Sequence, residues 1–176
     1  HECSSAASDV YKRQDFMGIN FYSRGIIRSD KIAEEDNEPR TVFSSGVHTD
    51  MDWEVFAPSL SKLLLDLTET YAPKALVITE NGAAYATGPG EDGSVPDTRR
   101  QQYLHDHIAA CKDAIDGGAP LIGYFAWSLM DNFEWAVGYA KRFGMVWVDY
   151  ETLERTPKDS ALWYRGVIER HGLGEG

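Results

Sequence analysis

Ala75-Leu-Val-Ile-Thr-Glu-Asn-Gly82 is a short apolar run that stops on a carboxylate and a turn. Leu76, Val77 and Ile78 suit a strand buried on both faces. Asn81-Gly82 ends it, which puts Glu80 at the C-terminal end of a buried parallel strand. That end is the rim on which β/α barrels place their chemistry. Taken alone, Glu80 also reads as a satisfied polar strand end. Its flanks separate the two readings.

Upstream, Pro58 opens a helix at its first turn, and Leu60, Leu63, Leu64, Leu67 and Tyr71 form one apolar stripe that Pro73 ends. Before it lies a charged loop, Ser29 to Asp52, long enough to be functional or mobile. Before that, Asp15-Phe-Met-Gly-Ile-Asn-Phe-Tyr22 reads as a strand, with Phe16, Ile19 and Phe21 apolar and Asn20 and Tyr22 on the opposite face near its end.

Downstream, Ala83 to Pro96 is glycine-rich, but no Gly-Lys-Ser/Thr follows, which rejects a phosphate-binding P-loop. Asp97 reads as the N-cap of a helix with Leu104, Ile108, Cys111 and Ile115 buried, stopped by Gly117-Gly118. His105 and His107 are two apart on that helix and point in different directions, a poor metal pair. Leu121 to Trp127 is a third strand. It runs into Ser-Leu-Met-Asp-Asn-Phe-Glu-Trp135, which together with Trp127 sets two acids and two indoles at and just past a strand end. Thr156-Pro-Lys-Asp159 reads as a helix start, with Thr156 as N-cap, Pro157 first in the helix and Asp159 as the capping-box acid. Ala161, Tyr164 and Ile168 would share its buried face.

The order strand, helix, repeated three times, predicts β/α units on a parallel sheet. Three units cannot close an eight-stranded barrel, which takes roughly 250 residues, so the 176 residues describe part of a barrel or a small open sheet. Residues 1–14 read as a disordered or foreign tail ahead of a domain over 15–176. A net charge of −11 disfavours nucleic acid and anionic membranes. Two cysteines, Cys3 and Cys111, make neither a disulfide framework nor a CxxC metal pattern and suit a reducing, cytoplasmic setting. No stretch is apolar enough to span a membrane. Among five tryptophans, some belong to the core and others are candidates to stack on sugar rings.

These motifs together resemble the C-terminal part of glycoside hydrolase family 1, the β-glucosidase family, from Asp15 to about Ile168. Phe16-Met-Gly-Ile-Asn-Phe-Tyr22 is similar to the family's sixth barrel strand and Val77-Ile-Thr-Glu-Asn-Gly82 to its seventh-strand nucleophile motif. Gly123-Tyr-Phe-Ala-Trp-Ser-Leu-Met-Asp-Asn-Phe-Glu-Trp135 resembles the eighth strand and its sugar-binding loop. Arg142-Phe-Gly144, Val148-Asp-Tyr150 and Arg155-Thr-Pro-Lys-Asp-Ser160 resemble the segments that follow. The resemblance implies an α/β fold, a partial (β/α)8 TIM barrel of roughly strands 6 to 8. It implies a retaining glycosidase with Glu80 as nucleophile and Tyr22 bonded to it, with Asn20 polar beside them. Trp127 would lie under the sugar, Glu134 would accept from the C4 and C6 hydroxyls, Trp135 would donate to the C3 hydroxyl, and Phe143 would line the pocket. A carboxylate at Glu134 would repel a 6-phosphate, so the implied substrate is a non-phosphorylated β-glycoside or related oligosaccharide. No cofactor or metal is implied.

The family's acid/base motif, Thr-x-Asn-Glu-Pro, does not occur in this sequence, and Glu80 precedes an Asn rather than following one. A retaining enzyme needs both carboxylates. The expectation is therefore a truncated or mis-assembled product, inactive alone, whose partner is the missing N-terminal barrel half or a second copy. The alternative is a catalytically inactive carbohydrate-binding half-barrel or assembly fragment.

Overall fold

The computed structural model describes residues 14–27 and 44–174. Its elements are strand β1 (Met17–Asn20), helix α1 (Pro58–Tyr71), strand β2 (Leu76–Asn81), helix α2 (Thr98–Asp116), strand β3 (Leu121–Ala126), strands β4 (Val146–Val148) and β5 (Arg155–Pro157), and helix α3 (Asp159–Arg170). The three β/α units expected are present. β1, β2 and β3 form a parallel sheet in sequence order, and β4 pairs antiparallel with β5. The expected tail falls on residues outside those described, except Gln14, and so does much of the Ser29–Asp52 loop.

The helices cover one face of the sheet. Leu76 and Ile78 are fully buried there against Leu60 and Leu64 of α1 and Ala110, Cys111 and Ala114 of α2. A second cluster joins Tyr85, Tyr103, Leu104 and Met145, with Trp163 and Tyr164 of α3 packed on it. Val77 is half-buried and Thr79 exposed. A strand buried on both faces was expected, but among the described residues only one face of β2 is covered. Phe16, Ile122 and Phe125 are 53%, 73% and 61% exposed.

The alternation breaks where it matters. The β1–β2 register shifts between Ile19 and Asn20, and the β2–β3 register shifts between Ile78 and Asn81. A slip of one residue exchanges the two faces of a strand. Glu80 therefore leaves the helix side on which strict alternation from Ile78 would have put it. Asn81 turns there instead and is fully buried.

Three local expectations are corrected. Thr156 and Pro157 do not start the last helix. They lie in β5, held by β4, and α3 begins two residues later with Lys158 at its N-cap. Asp97 flanks α2, but its side chain does not cap that helix. Its Oδ1 accepts from the Ser160 amide at 2.8 Å and its Oδ2 from the Ser160 hydroxyl at 2.6 Å, so it caps the neighbouring helix α3. Ile115 and Ile168 are 45% and 57% exposed. The buried stripe of α2 runs instead through Arg100, Tyr103, Leu104, His107, Ala110, Cys111 and Ala114.

Candidate active site

The C-terminal ends of the three parallel strands bring the expected residues to one rim. Glu80 stands at the end of β2, Asn20 at the end of β1, Tyr22 two residues beyond, and Trp127 directly after β3. The Tyr22 hydroxyl donates to Glu80 Oε2 at 2.7 Å. Burial raises the Tyr22 phenol far above its ordinary range, and the bond to Glu80 and the charges of Glu80 and Glu134 push the same way. Tyr22 is thus a fixed donor that aims and holds one carboxylate oxygen, with the charge of Glu134 acting on the same phenol.

Phe143 is 2% exposed and meets the Tyr22 ring edge-on, with centroids 6.0 Å apart. Trp53 completes this aromatic wall, 5.3 Å from Tyr22 and 6.1 Å from Phe143. The sequence leaves Trp53 unassigned among the five tryptophans divided between core and sugar stacking. It lies just before α1, far along the chain from any strand end, and only the fold brings it here.

Asn20 belongs to the rim but not to the Tyr22–Glu80 pair. Its amide oxygen accepts from the Thr79 hydroxyl at 2.6 Å. Trp135 stands at the outer edge, 80% exposed, with φ at 41° in the left-handed region. Trp127 is half-buried, and its amide donates to the Asn81 carbonyl at 2.8 Å. Gly82 allows that closeness, because a Cβ on it would lie 1.7 Å from the Trp127 carbonyl oxygen.

The loop after β3 is anchored by a buried charge cluster. Asp131 Oδ2 accepts from Arg142 at 2.7 Å, and Oδ1 accepts from Lys158 at 3.0 Å and from the Gly144 amide at 2.9 Å. A Cβ on Gly144 would fall 2.0 Å from the Asp131 amide nitrogen, so only glycine fits between Phe143 and this loop. Burial lowers Lys158 to about 8, helped by the nearby Arg100 charge and opposed by Asp131. Arg100, itself 1% exposed, pairs with Asp97 at 2.5 Å and donates to the Arg142 carbonyl at 2.7 Å. The sequence assigns no role in a charge cluster to Asp131, Arg142, Lys158 or Arg100. One signal was available: Lys158 precedes a helix whose N-terminal dipole disfavours a cation, so it had to serve something else.

Among the described residues no cluster of His, Cys, Asp and Glu could hold a metal ion, and no helix is long and apolar enough to cross a membrane. Cys111 is free and buried, and burial pushes its thiol up to about 12.

The chain is 42% identical over 172 residues to β-glucosidase A of Thermotoga maritima, covering 94% of this chain and 37% of that protein. Over 160 residues it is 43% identical to β-glucosidase A of Acetivibrio thermocellus, covering 90% and 36%. The solved structure of the Thermotoga maritima β-glucosidase with a methoxycarbonyl-substituted glucoimidazole superposes with a TM-score of 0.87 at 43% identity, covering 95% of this chain and 37% of that one. The chain thus spans a little over a third of the length of these relatives, and its α/β layers match part of their (β/α)8 barrels. The model of the glycosyl hydrolase family 1 sequences matches residues 4–173. This chain belongs to glycosyl hydrolase family 1.

Proposed function

We propose that this chain carries the nucleophile side of a retaining β-glucosidase site for non-phosphorylated β-glycosides, built on the last three β/α units of the barrel. One observation carries the reading: Tyr22 donates at 2.7 Å to a carboxylate at the end of a parallel strand. Glu80 attacks the anomeric carbon and the aglycone oxygen leaves, which gives a covalent glycosyl-enzyme. Water then releases the sugar with net retention. Tyr22 keeps the attacking carboxylate aimed, and Phe143 and Trp53 wall the pocket. Trp127 underlies the ring, Glu134 accepts from the C4 and C6 hydroxyls, Trp135 donates to the C3 hydroxyl, and Asn20 adds a polar group at the rim. The acid/base carboxylate, roughly 5–5.5 Å from Glu80 in a retaining site, comes from barrel strands that this chain does not supply. The partner is therefore the N-terminal part of the barrel, in a reducing, cytoplasmic setting, and the isolated chain is inactive on ordinary glycosides. A relative from Bifidobacterium breve, 38% identical over 187 residues, is a bifunctional β-D-glucosidase/β-D-fucosidase, which supports tolerance at the glycone.

The test is hydrolysis of 2,4-dinitrophenyl β-glucoside, whose leaving group needs almost no protonation. The chain is assayed alone and fused to the N-terminal part of the Thermotoga maritima enzyme, each beside Glu80→Gln. Activity in the fusion that vanishes in Glu80→Gln upholds the proposal. Activity that survives the substitution, or a folded fusion with none, overturns it. A second reading, a sugar-binding but non-catalytic half-barrel, is favoured by the exposure of Trp135. It requires glucose binding that persists in Glu80→Gln with no turnover.

A further inference from the structure

Behind the Tyr22–Glu80 pair the backbone ladder gives out. The Phe21 amide donates to the Glu80 carbonyl at 2.8 Å. The next two carbonyls accept from side chains. Phe21 O takes Asn81 Nδ2 at 2.8 Å, and Tyr22 O takes the Tyr103 hydroxyl at 3.0 Å. The same Asn81 amide donates to Tyr103 Oη at 3.0 Å, and Asn81 Oδ1 accepts from the Tyr124 hydroxyl at 2.5 Å. A single phenol on helix α2 thus holds the peptide of Tyr22 and the side chain of the residue after Glu80.

We propose that Tyr103 is a positioning residue: its hydroxyl, acting with Asn81, sets the separation and angle of Tyr22 and Glu80 without touching substrate. The β1–β2 ladder ends on the bond from the Phe21 amide to the Glu80 carbonyl, and Tyr22 lies beyond the end of β1, so strand pairing holds Glu80 but not Tyr22. Side-chain bonds replace it there. Tyr103 is suited to this, being 1% exposed and stacked on His107 with centroids 3.9 Å apart and planes 24° apart. Burial also keeps its phenol protonated, and hence a donor, well above neutral pH. A misdirected donor loses strength steeply with angle, so small backbone shifts at Tyr22 weaken the bond to Glu80. For its catalytic meaning the inference rests on Glu80 being the nucleophile; for its structural content it does not.

The experiment uses the whole chain labelled with 13C at the tyrosine Cζ positions, which report phenol hydrogen bonding by NMR. Tyr22→Phe identifies the Tyr22 resonance by its loss, and Glu80→Gln shows where it moves when the charged acceptor is gone. Tyr103→Phe keeps the ring and its stacking and is expected to move the Tyr22 resonance toward its Glu80→Gln position. Tyr124→Phe, which frees only Asn81 Oδ1, is expected to move it the same way by less, and it carries the test if Tyr103→Phe does not fold. Leu64→Ala, in the other core cluster, is expected to lower the melting temperature and leave the resonance in place. An unmoved Tyr22 resonance in a folded Tyr103→Phe chain, or in Tyr124→Phe where that stands in, overturns the proposal. A shifted resonance in a chain whose barrel fusion hydrolyses no glycoside would uphold positioning and overturn the proposed function.

Discussion

At the scale of single residues, the site is a contest between charge and burial. Tyr22 wins its role because burial and two neighbouring carboxylates all oppose its ionisation, leaving a permanent donor beside Glu80. A hydrogen bond to a charged group is worth about 1.5–3 kcal/mol, so Tyr22→Phe in the barrel fusion is expected to slow glycosyl-enzyme formation roughly 10–100-fold, measured by pre-steady-state release of dinitrophenol. The role proposed for Glu134 is to exclude phosphate by charge. Replacing it by Ser is expected to raise the preference for a 6-phosphoglucoside over a glucoside by about tenfold or more in kcat/KM, since one like-charge contact at a partly screened site is worth about 1.4 kcal/mol. An unchanged ratio would remove that role. His107 is buried with Nδ1 bonded to the Tyr103 carbonyl at 2.8 Å and Nε2 without a partner among the described residues. Burial holds its imidazole below the ordinary range, against the opposing pull of the Tyr103 carbonyl and the Asp106 charge. The unfolded chain therefore takes up a proton near pH 6.5 that the folded chain refuses. Stability from this group is complete above that pH and falls as pH drops below it, by up to about 1.4 kcal/mol per unit. His107→Phe is expected to lose less stability than the parent between pH 7 and pH 5 in urea titrations.

At the scale of elements, neighbours finish what local sequence leaves open. Thr156-Pro-Lys-Asp159 is a sound helix start by its own chemistry, but pairing of β5 with β4 holds Thr156 extended, and Asp97 supplies the cap from another helix. Asp97 also pairs with Arg100, both fully out of water. Removing one member of a buried pair strands the other, so Asp97→Ala is expected to cost about 3–5 kcal/mol, against about 1 kcal/mol for Ser160→Ala, read as shifts in the urea midpoint. Equal small losses would mean that the cluster is hydrated. Asp97 and Ser160 are 63 residues apart in sequence, which is why no local pattern announced that cap. The helix stripes were legible to the extent that leucine spacing is. Leu60 and Leu64 are buried as the period requires, whereas Ile115 and Ile168 lie on the period and face outward, and Arg100 and His107 are taken in.

At the scale of the whole molecule, the sheet has helices on one face and, among the described residues, none on the other. Phe16, Ile122 and Phe125 lie open, and among the described residues β1 and β3 each have one strand neighbour. Unpaired strand edges beside apolar residues seek partners. The isolated chain is expected to self-associate, with a mass by sedimentation that rises with concentration, and Phe125→Lys is expected to weaken this. A monomer at all concentrations would show that the open face is satisfied by other means.

The amino-acid sequence by itself determined the three β/α units, the rim position of Glu80, Tyr22 and Trp127, and the family resemblance. Periodicity, turn residues and short motifs are local, and they survive in one dimension. The tertiary structure alone decided that Asn81, and not Glu80, faces the helices, because that parity depends on register shifts between strands about 45 to 60 residues apart in the chain. It alone brought Trp53 to Phe143 and buried Lys158 on Asp131. The charges of Lys158 and Asp131 leave water only beside each other, and because the two are 27 residues apart no local stretch of sequence announces the pair.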